Sequence, residues 1–341
     1  MMRRKTKKKK GLLSKLVSLL ALSIVLLFLL DIFIVLFFPP TFQGEQKRVL
    51  IPKGSTFREV VQTLDEEGLL RSPTAFYLMA RALGVAGNVQ AGEYELSTAM
   101  TPAVILHKLV SGDVVKYRVT IPEGYTVRQI AVRLEERGII KNREEFIAEA
   151  FSSDFNTILG ITGESVEGYL FPDTYLFSKG IAPQEVIKSM VGKFKRVYTP
   201  DFSQRAAELG MTDREVVTLA SIIEKETGLP EERPLISAVF HNRLKRGIPL
   251  CSDPTVIYGI ANFDGNLRKR DLEKRTPYNT YLIQGLPPGP IANPGRASIE
   301  AALYPAPVKY LYFVSRNDGS HHFSTTLREH SEAVRRYQRG G

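Results

Sequence analysis

The sequence predicts an α+β protein behind an N-terminal transmembrane helix, on three observations. Residues 16–38 are apolar except for Ser18, Ser23 and Asp31, and the fifteen residues before them carry eight Lys or Arg and no acid. The chain matches itself at an offset of 70, pairing Val49 with Val119, Pro52 with Pro122, Gly54 with Gly124, Thr56 with Thr126, Leu64 with Leu134 and Gly68 with Gly138. Further on, a helical pattern opens at Thr212, and a strand, an Asp-Gly turn and a second strand close the chain at 310–324.

At 1.5 Å rise per residue, the 23 residues of 16–38 suffice to cross a hydrocarbon core of about 30 Å. The cations before them predict a basic cytoplasmic tail at 1–15 and an extracytoplasmic chain after Pro39. A cleaved secretory signal would be shorter and end in small residues, whereas this stretch ends Phe37-Phe38-Pro39-Pro40. Asp31 reads as a tolerated carboxylate, since a single span offers it no relay partner. The net charge of +10 does not point to nucleic acid, because the first fifteen residues supply +8 of it. Cys251 is the lone cysteine, so no internal disulfide forms, and it reads as a small buried residue. Zinc-spaced Cys/His clusters, a G-x-G-x-x-G and a P-loop are all missing, so neither metal nor cofactor is predicted.

Each copy of the repeat reads as a short strand, a Pro-x-Gly turn and a helix. The helix has a Thr N-cap followed three residues later by Glu59 or Gln129, a capping box, and stops at a glycine suited to a left-handed terminus. Val60, Val61 and Leu64, and then Ile130, Ala131 and Leu134, fall at helical spacing and face a core. Another strand is expected near 92–96 and a helix over 101–110. Strand, turn and helix resemble the first half of a LysM module, which grips N-acetylated glycans; a structural spacer is the equal alternative. The first copy is assigned to 47–118, and the second leads into a larger domain over 119–341.

From Thr212 the sequence TDREVVTLASIIEKETG opens with a capping box to Glu215 and runs as a helix until Gly228-Leu229-Pro230. On a 100° wheel Glu224 lies at the border of the apolar face, beside Val217 and Ala220. Burial disfavours the charged form of a carboxyl, so a group placed there is suited to carry a proton as general acid. Most glutamates at a helix edge are simply solvated, so this alone does not assign a function.

The chain resembles the endolytic murein transglycosylase family over almost its whole length beyond the apolar stretch. The resemblance rests on VEGYLFPDTY at 166–175, LASIIEKET at 219–227, VFHNRL at 239–244, SDPTVIYG at 252–259, TPYNTY at 276–281, GLPPGPIANPG at 285–295, and YLYFV followed by DGSHHFS within 310–324. It implies a bacterial inner-membrane protein with a single span, a LysM-like subdomain and a mixed α/β catalytic domain. It assigns the acid and base role to the first glutamate of EKET, Glu224. The implied reaction cuts the β-1,4 bond between N-acetylmuramic acid and N-acetylglucosamine, the C6 hydroxyl of the sugar attacking C1 to leave a 1,6-anhydro end. The implied partners are peptidoglycan strands, with peptidoglycan synthases or division proteins beside them. One departure is Cys251, where the family often carries a polar amide.

A cleft for amino sugars needs aromatic faces and amides, and Tyr169, Tyr258, Tyr278, Asn279 and Tyr281 are of the right kind. Tyr169 and Tyr258 read equally well as core residues. The run 285–295 reads as a stiff loop forming one wall of the cleft. A hydrolytic muramidase would need a second carboxylate, for which Glu167, Asp173, Asp253 and Glu226 are candidates; Glu167 is also assigned to substrate binding. Glu226, some 200° around the helix, does not easily share a cleft with Glu224. Adjacent His321 and His322 point to opposite faces of a strand, which argues against a metal site with His330. A glycan-binding scaffold without catalysis remains the third alternative.

Overall fold

The computed structural model describes residues 17–338 apart from 18, 28, 29, 32 and 36. It is α+β, with two compact units, 1–116 and 117–341. In the first, β1 (Gln46–Ile51) pairs antiparallel with β2 (Gly92–Ser97), with α1 (Phe57–Glu66) and α2 (Pro73–Ala82) between them in sequence and α3 (Pro102–Ser111) after them. Period-two alternation turns Val49, Ile51, Tyr94 and Leu96 inward onto Val60, Val61 and Leu64 of α1. Gly54 makes the turn before α1 at φ +89°, and Thr56 closes the capping box with Glu59.

The second unit repeats that start. Strand β3 (Tyr117–Thr120) pairs antiparallel with β4 (Thr174–Phe177) across α4 (Val127–Glu136), α5 (Arg143–Ala150) and α6 (Ser153–Ile158). Thr126 and Gln129 form its capping box. Then come α7 (Pro183–Val197), α8 (Pro200–Glu208), α9 (Asp213–Glu226), α10 (Arg233–Lys245), α11 (Asp253–Tyr258), α12 (Lys269–Leu272) and α13 (Arg296–Leu303). The hairpin β5 (Tyr312–Ser315) and β6 (His321–Ser324) and a last helix, α14 (Leu327–Gln338), complete the unit. Helix α9 runs through its middle: all eight residues from Val216 to Ile223 are buried, against α8, α10, α11 and α13.

The expected transmembrane helix is corrected. Among the described residues no helix is long and apolar enough to cross a membrane. The basic tail at 1–15 lies outside the described residues.

Candidate functional site

Helix α9 starts at Thr212, whose hydroxyl accepts the Glu215 N–H while the Glu215 carboxylate accepts the Thr212 N–H at 2.8 Å. It ends at Thr227, which turns extended. Its last turn sends Glu224 and Glu226 into different surroundings.

Glu226 borders an open cavity of 530 Å³, shared with Arg243, Cys251, Asp253, Tyr281, His321 and His330. The Ser252 hydroxyl donates to Glu226 Oε1. Burial pushes the Glu226 carboxyl up to about 7, against the Ser252 hydrogen bond, with the Asp253 charge raising it further and Arg243 lowering it. Thr280 builds this wall: its hydroxyl accepts the Ser252 N–H at 3.0 Å and its carbonyl the Cys251 N–H at 3.1 Å. The Tyr281 hydroxyl donates to Asp253 Oδ1 at 2.7 Å. Arg243 is fixed by three carbonyls, those of Leu311, Pro249 and Leu250, and lies 5.3 Å over the Tyr312 ring. Glu232, 6% exposed, accepts from both the backbone N–H and Nδ1 of His321.

Glu224 lies elsewhere. Its Oε2 accepts the Gly295 N–H at 3.0 Å, Arg233 stands 3.9 Å from Oε1, and it does not border the 530 Å³ cavity. Burial and the Glu224 charge raise the neighbouring Glu123 carboxyl, with Arg233 opposing. The run 285–295 packs on this side: the Ile291 N–H donates to Ser221, and Pro290 crowds Gly168, where an added Cβ would sit 2.5 Å from it. No residue of that run lines the cavity.

Of the residues assigned from sequence to substrate binding, only Tyr281 reaches the cavity. Glu167 is 2% exposed and caps α4, accepting from the Val127 N–H, Asn293 and Tyr258; burial pushes its carboxyl up to about 8 against those donors. Tyr169 is a core residue, edge-on to Phe194. Tyr258 packs on Tyr278 with ring centroids 4.8 Å apart. Asn279 is fully buried; its amide donates to the Leu272 and Lys274 carbonyls and its Oδ1 accepts the Tyr281 N–H, so it positions Tyr281 from behind. Asp173 pairs with Lys193 at 2.7 Å, which holds its carboxyl below the usual range. Cys251 is corrected from buried to exposed: it stands on the cavity wall at φ +50°, a left-handed conformation rare for a side-chain-bearing residue. Among the described residues no group of three or more His, Cys, Asp or Glu could hold a metal ion.

Ser252, Arg243 and Glu232 went unassigned from sequence, and Glu226 was weighed only as a second carboxylate. Their angular offset separates Glu224 from Glu226 but does not say which of the two meets a cavity.

A carboxyl of raised proton affinity at an open cavity, near a hydroxyl, a second carboxylate and an imidazole, is an arrangement suited to acid-base chemistry. The chain belongs to the YceG-like family, whose model matches residues 49–336. It is 33% identical over 305 residues to a Bacillus subtilis protein named endolytic murein transglycosylase, covering 84% of this chain and 83% of the relative. A Streptococcus pneumoniae protein of the same name is 29% identical over 315 residues, covering 83% of this chain and 57% of the relative. The crystal structure of a yceG-like protein from Listeria monocytogenes superposes with a TM-score of 0.59 at 33% identity, over 84% of this chain and 98% of that one.

Proposed function

We propose that the chain is an endolytic murein transglycosylase, a lyase that cuts peptidoglycan glycan strands internally, with Glu226 as its acid. The relatives so named support the reaction class. The observation that carries the residue is the Glu226 carboxyl at about 7 beside a 530 Å³ cavity. Near neutral pH a good share of it is protonated, ready to protonate the glycosidic oxygen as the C1–O bond breaks. The bond cut is that between N-acetylmuramic acid and N-acetylglucosamine, and the C6 hydroxyl of the muramyl residue closes on C1 to leave a 1,6-anhydro end. Glu224, bonded to Gly295 and Arg233, supports the last turn of α9 instead.

The substrate lies outside the cytoplasmic membrane, and the catalytic unit works there, on strands that peptidoglycan synthases and division proteins also handle. The strand-helix-helix-strand order of the first unit suits a glycan-holding role like that of a LysM module. A second reading, hydrolysis, draws on Asp253, a second carboxylate at the same cavity. Mass spectrometry of glycan digested by the purified chain separates the two, since the anhydro product lacks one water. Release of reducing ends alone overturns the lyase reading, and full activity of E226Q overturns the role of Glu226.

A further inference from the structure

We propose that His321, held by Glu232, is the base that takes the proton of the attacking hydroxyl, so that acid and base are two different groups. The proposal deepens the reading above and rests on it.

Glu232 sits just ahead of α10 and is almost wholly out of solvent. Its carboxylate accepts three hydrogen bonds: from the Thr227 hydroxyl at 3.2 Å, from the His321 backbone N–H at 2.7 Å and from His321 Nδ1 at 2.6 Å. A carboxylate can only accept, so the proton of a neutral His321 ring resides on Nδ1. Nε2 is then left with a free lone pair. Among the described residues no protein group hydrogen-bonds Nε2, and the ring borders the 530 Å³ cavity. The ring cannot easily turn away, because its backbone N–H is tied to the same carboxylate and Ser315 pairs with it across the β5–β6 hairpin. Phe313 meets its face edge-on, with centroids 5.4 Å apart.

The dyad is also tied to the acid. Thr227, which bonds Glu232, is the residue next to Glu226, so the end of α9 positions both groups at one cavity. Glu226 of α9, Arg243 of α10, Cys251, Asp253 of α11, Tyr281, Tyr312 of β5 and His330 of α14 are the other ionisable groups there. Among the groups lining the cavity, only His321 combines a carboxylate partner on one nitrogen with a second nitrogen that no protein group of the described residues bonds; Nδ1 of His330 is buried without a partner, and burial holds its ring below the usual imidazole range.

In the reaction, Glu226 gives its proton to the O4 of the departing N-acetylglucosamine as the C1–O4 bond breaks. The C6 oxygen forms the new bond to C1, and its hydroxyl proton passes to His321 Nε2. The Glu232 carboxylate stabilises the imidazolium. Transfer of that proton back to the Glu226 carboxylate through solvent restores both groups, with no water consumed and no redox change.

The test uses the full chain on purified glycan strands, counting anhydro ends by mass spectrometry, with thermal unfolding as the control for folding. H321A is expected to lose kcat by about 10²- to 10⁴-fold with KM within about threefold, and to lose the limb of the pH profile that reports the free base. Added imidazole is expected to restore part of the H321A rate. E232Q is expected to fold, to lose about tenfold in kcat with KM within about threefold, and, unlike H321A, to gain nothing from added imidazole, because its own ring is still in place. If H321A does not fold, H321Q, which keeps a hydrogen-bonding amide but takes no proton, carries the same expectation. A rate within threefold of the parent with an unchanged pH profile, in either variant, overturns the proposal. Failure of the underlying reading looks different: the parent chain itself releases no anhydro ends, or E226Q keeps its rate.

Discussion

Two glutamates two residues apart on α9 have almost nothing in common. Glu224 faces a backbone N–H, a guanidinium and the Glu123 carboxyl, with Oε2 bonded to Gly295 and Arg233 3.9 Å from Oε1. Glu226 faces a hydroxyl, a carboxylate and open space, in surroundings that raise its affinity for a proton. On the proposed reading, the same residue type on one turn serves as an anchor on one side and as an acid on the other. Position along the helix sets which elements each side chain meets, and those elements set its chemistry.

The largest expected effect separates the two faces directly. E226Q keeps the shape and the Ser252 contact but has no proton to give, so kcat is expected to fall by about 10²- to 10⁴-fold with little change in the unfolding temperature. E224Q should do the reverse, keeping activity within a few-fold while losing on the order of 1–2 kcal/mol of stability as the bonds to Gly295 and Arg233 weaken. Kinetics and thermal melts of the two variants side by side check both halves. Equal losses of activity would erase the distinction.

The next effect is on stability against pH. The Glu226 carboxyl stands at about 7 in the folded chain against 4.5 ordinarily, so between those values the folded state holds a proton that the unfolded state has released. Stability then falls as pH rises through that window, and is level with respect to this group below 4.5 and above 7. Glu167 adds a similar fall reaching to about 8. E226Q is expected to flatten the decline between 4.5 and 7 and to leave the part due to Glu167, which denaturant titrations across the range would show. An unchanged decline would mean that Glu226 is not buried in this way.

How far the sequence reaches follows from the range of the interactions. The capping boxes at Thr56, Thr126 and Thr212 are three-residue events, and all three form at the residues the pattern marks. The closing hairpin and the β2 strand are equally local and equally legible. Choosing between Glu224 and Glu226 was not local. The border of an apolar face has meaning only for a helix with one buried side, and α9 is buried all round from Val216 to Ile223. The cavity beside Glu226 is assembled from Asp253, Tyr281 and His321, which are 27, 55 and 95 positions away in sequence, and no periodicity within α9 carries that information. Likewise Tyr169, Tyr258 and Asn279 have the right chemistry for a sugar cleft, yet packing turns each of them to hold the frame. Length and hydropathy describe what the stretch 16–38 could cross; among the described residues no helix is long and apolar enough to do so.

A finer test of the two faces moves the acid without removing it. The Ser252 hydroxyl donates to Glu226, a bond that favours the charged carboxylate and so opposes the effect of burial. S252A removes that donor while leaving the Ser252 N–H on Thr280, which holds the start of α11 in place. The carboxyl of Glu226 should rise further, and the limb of the kcat profile on which the acid is lost should move to higher pH, with a rate at neutral pH within about threefold of the parent. Y281F, which frees Asp253 from its hydroxyl, should act through the negative charge on the same wall and move the limb in the same direction by less, since Asp253 acts on Glu226 through space without a shared proton. Profiles measured on the same glycan preparation would rank the shifts. A limb that stays put in S252A would show that the acid lies somewhere other than Glu226, and would reopen the choice between the two sides of the helix.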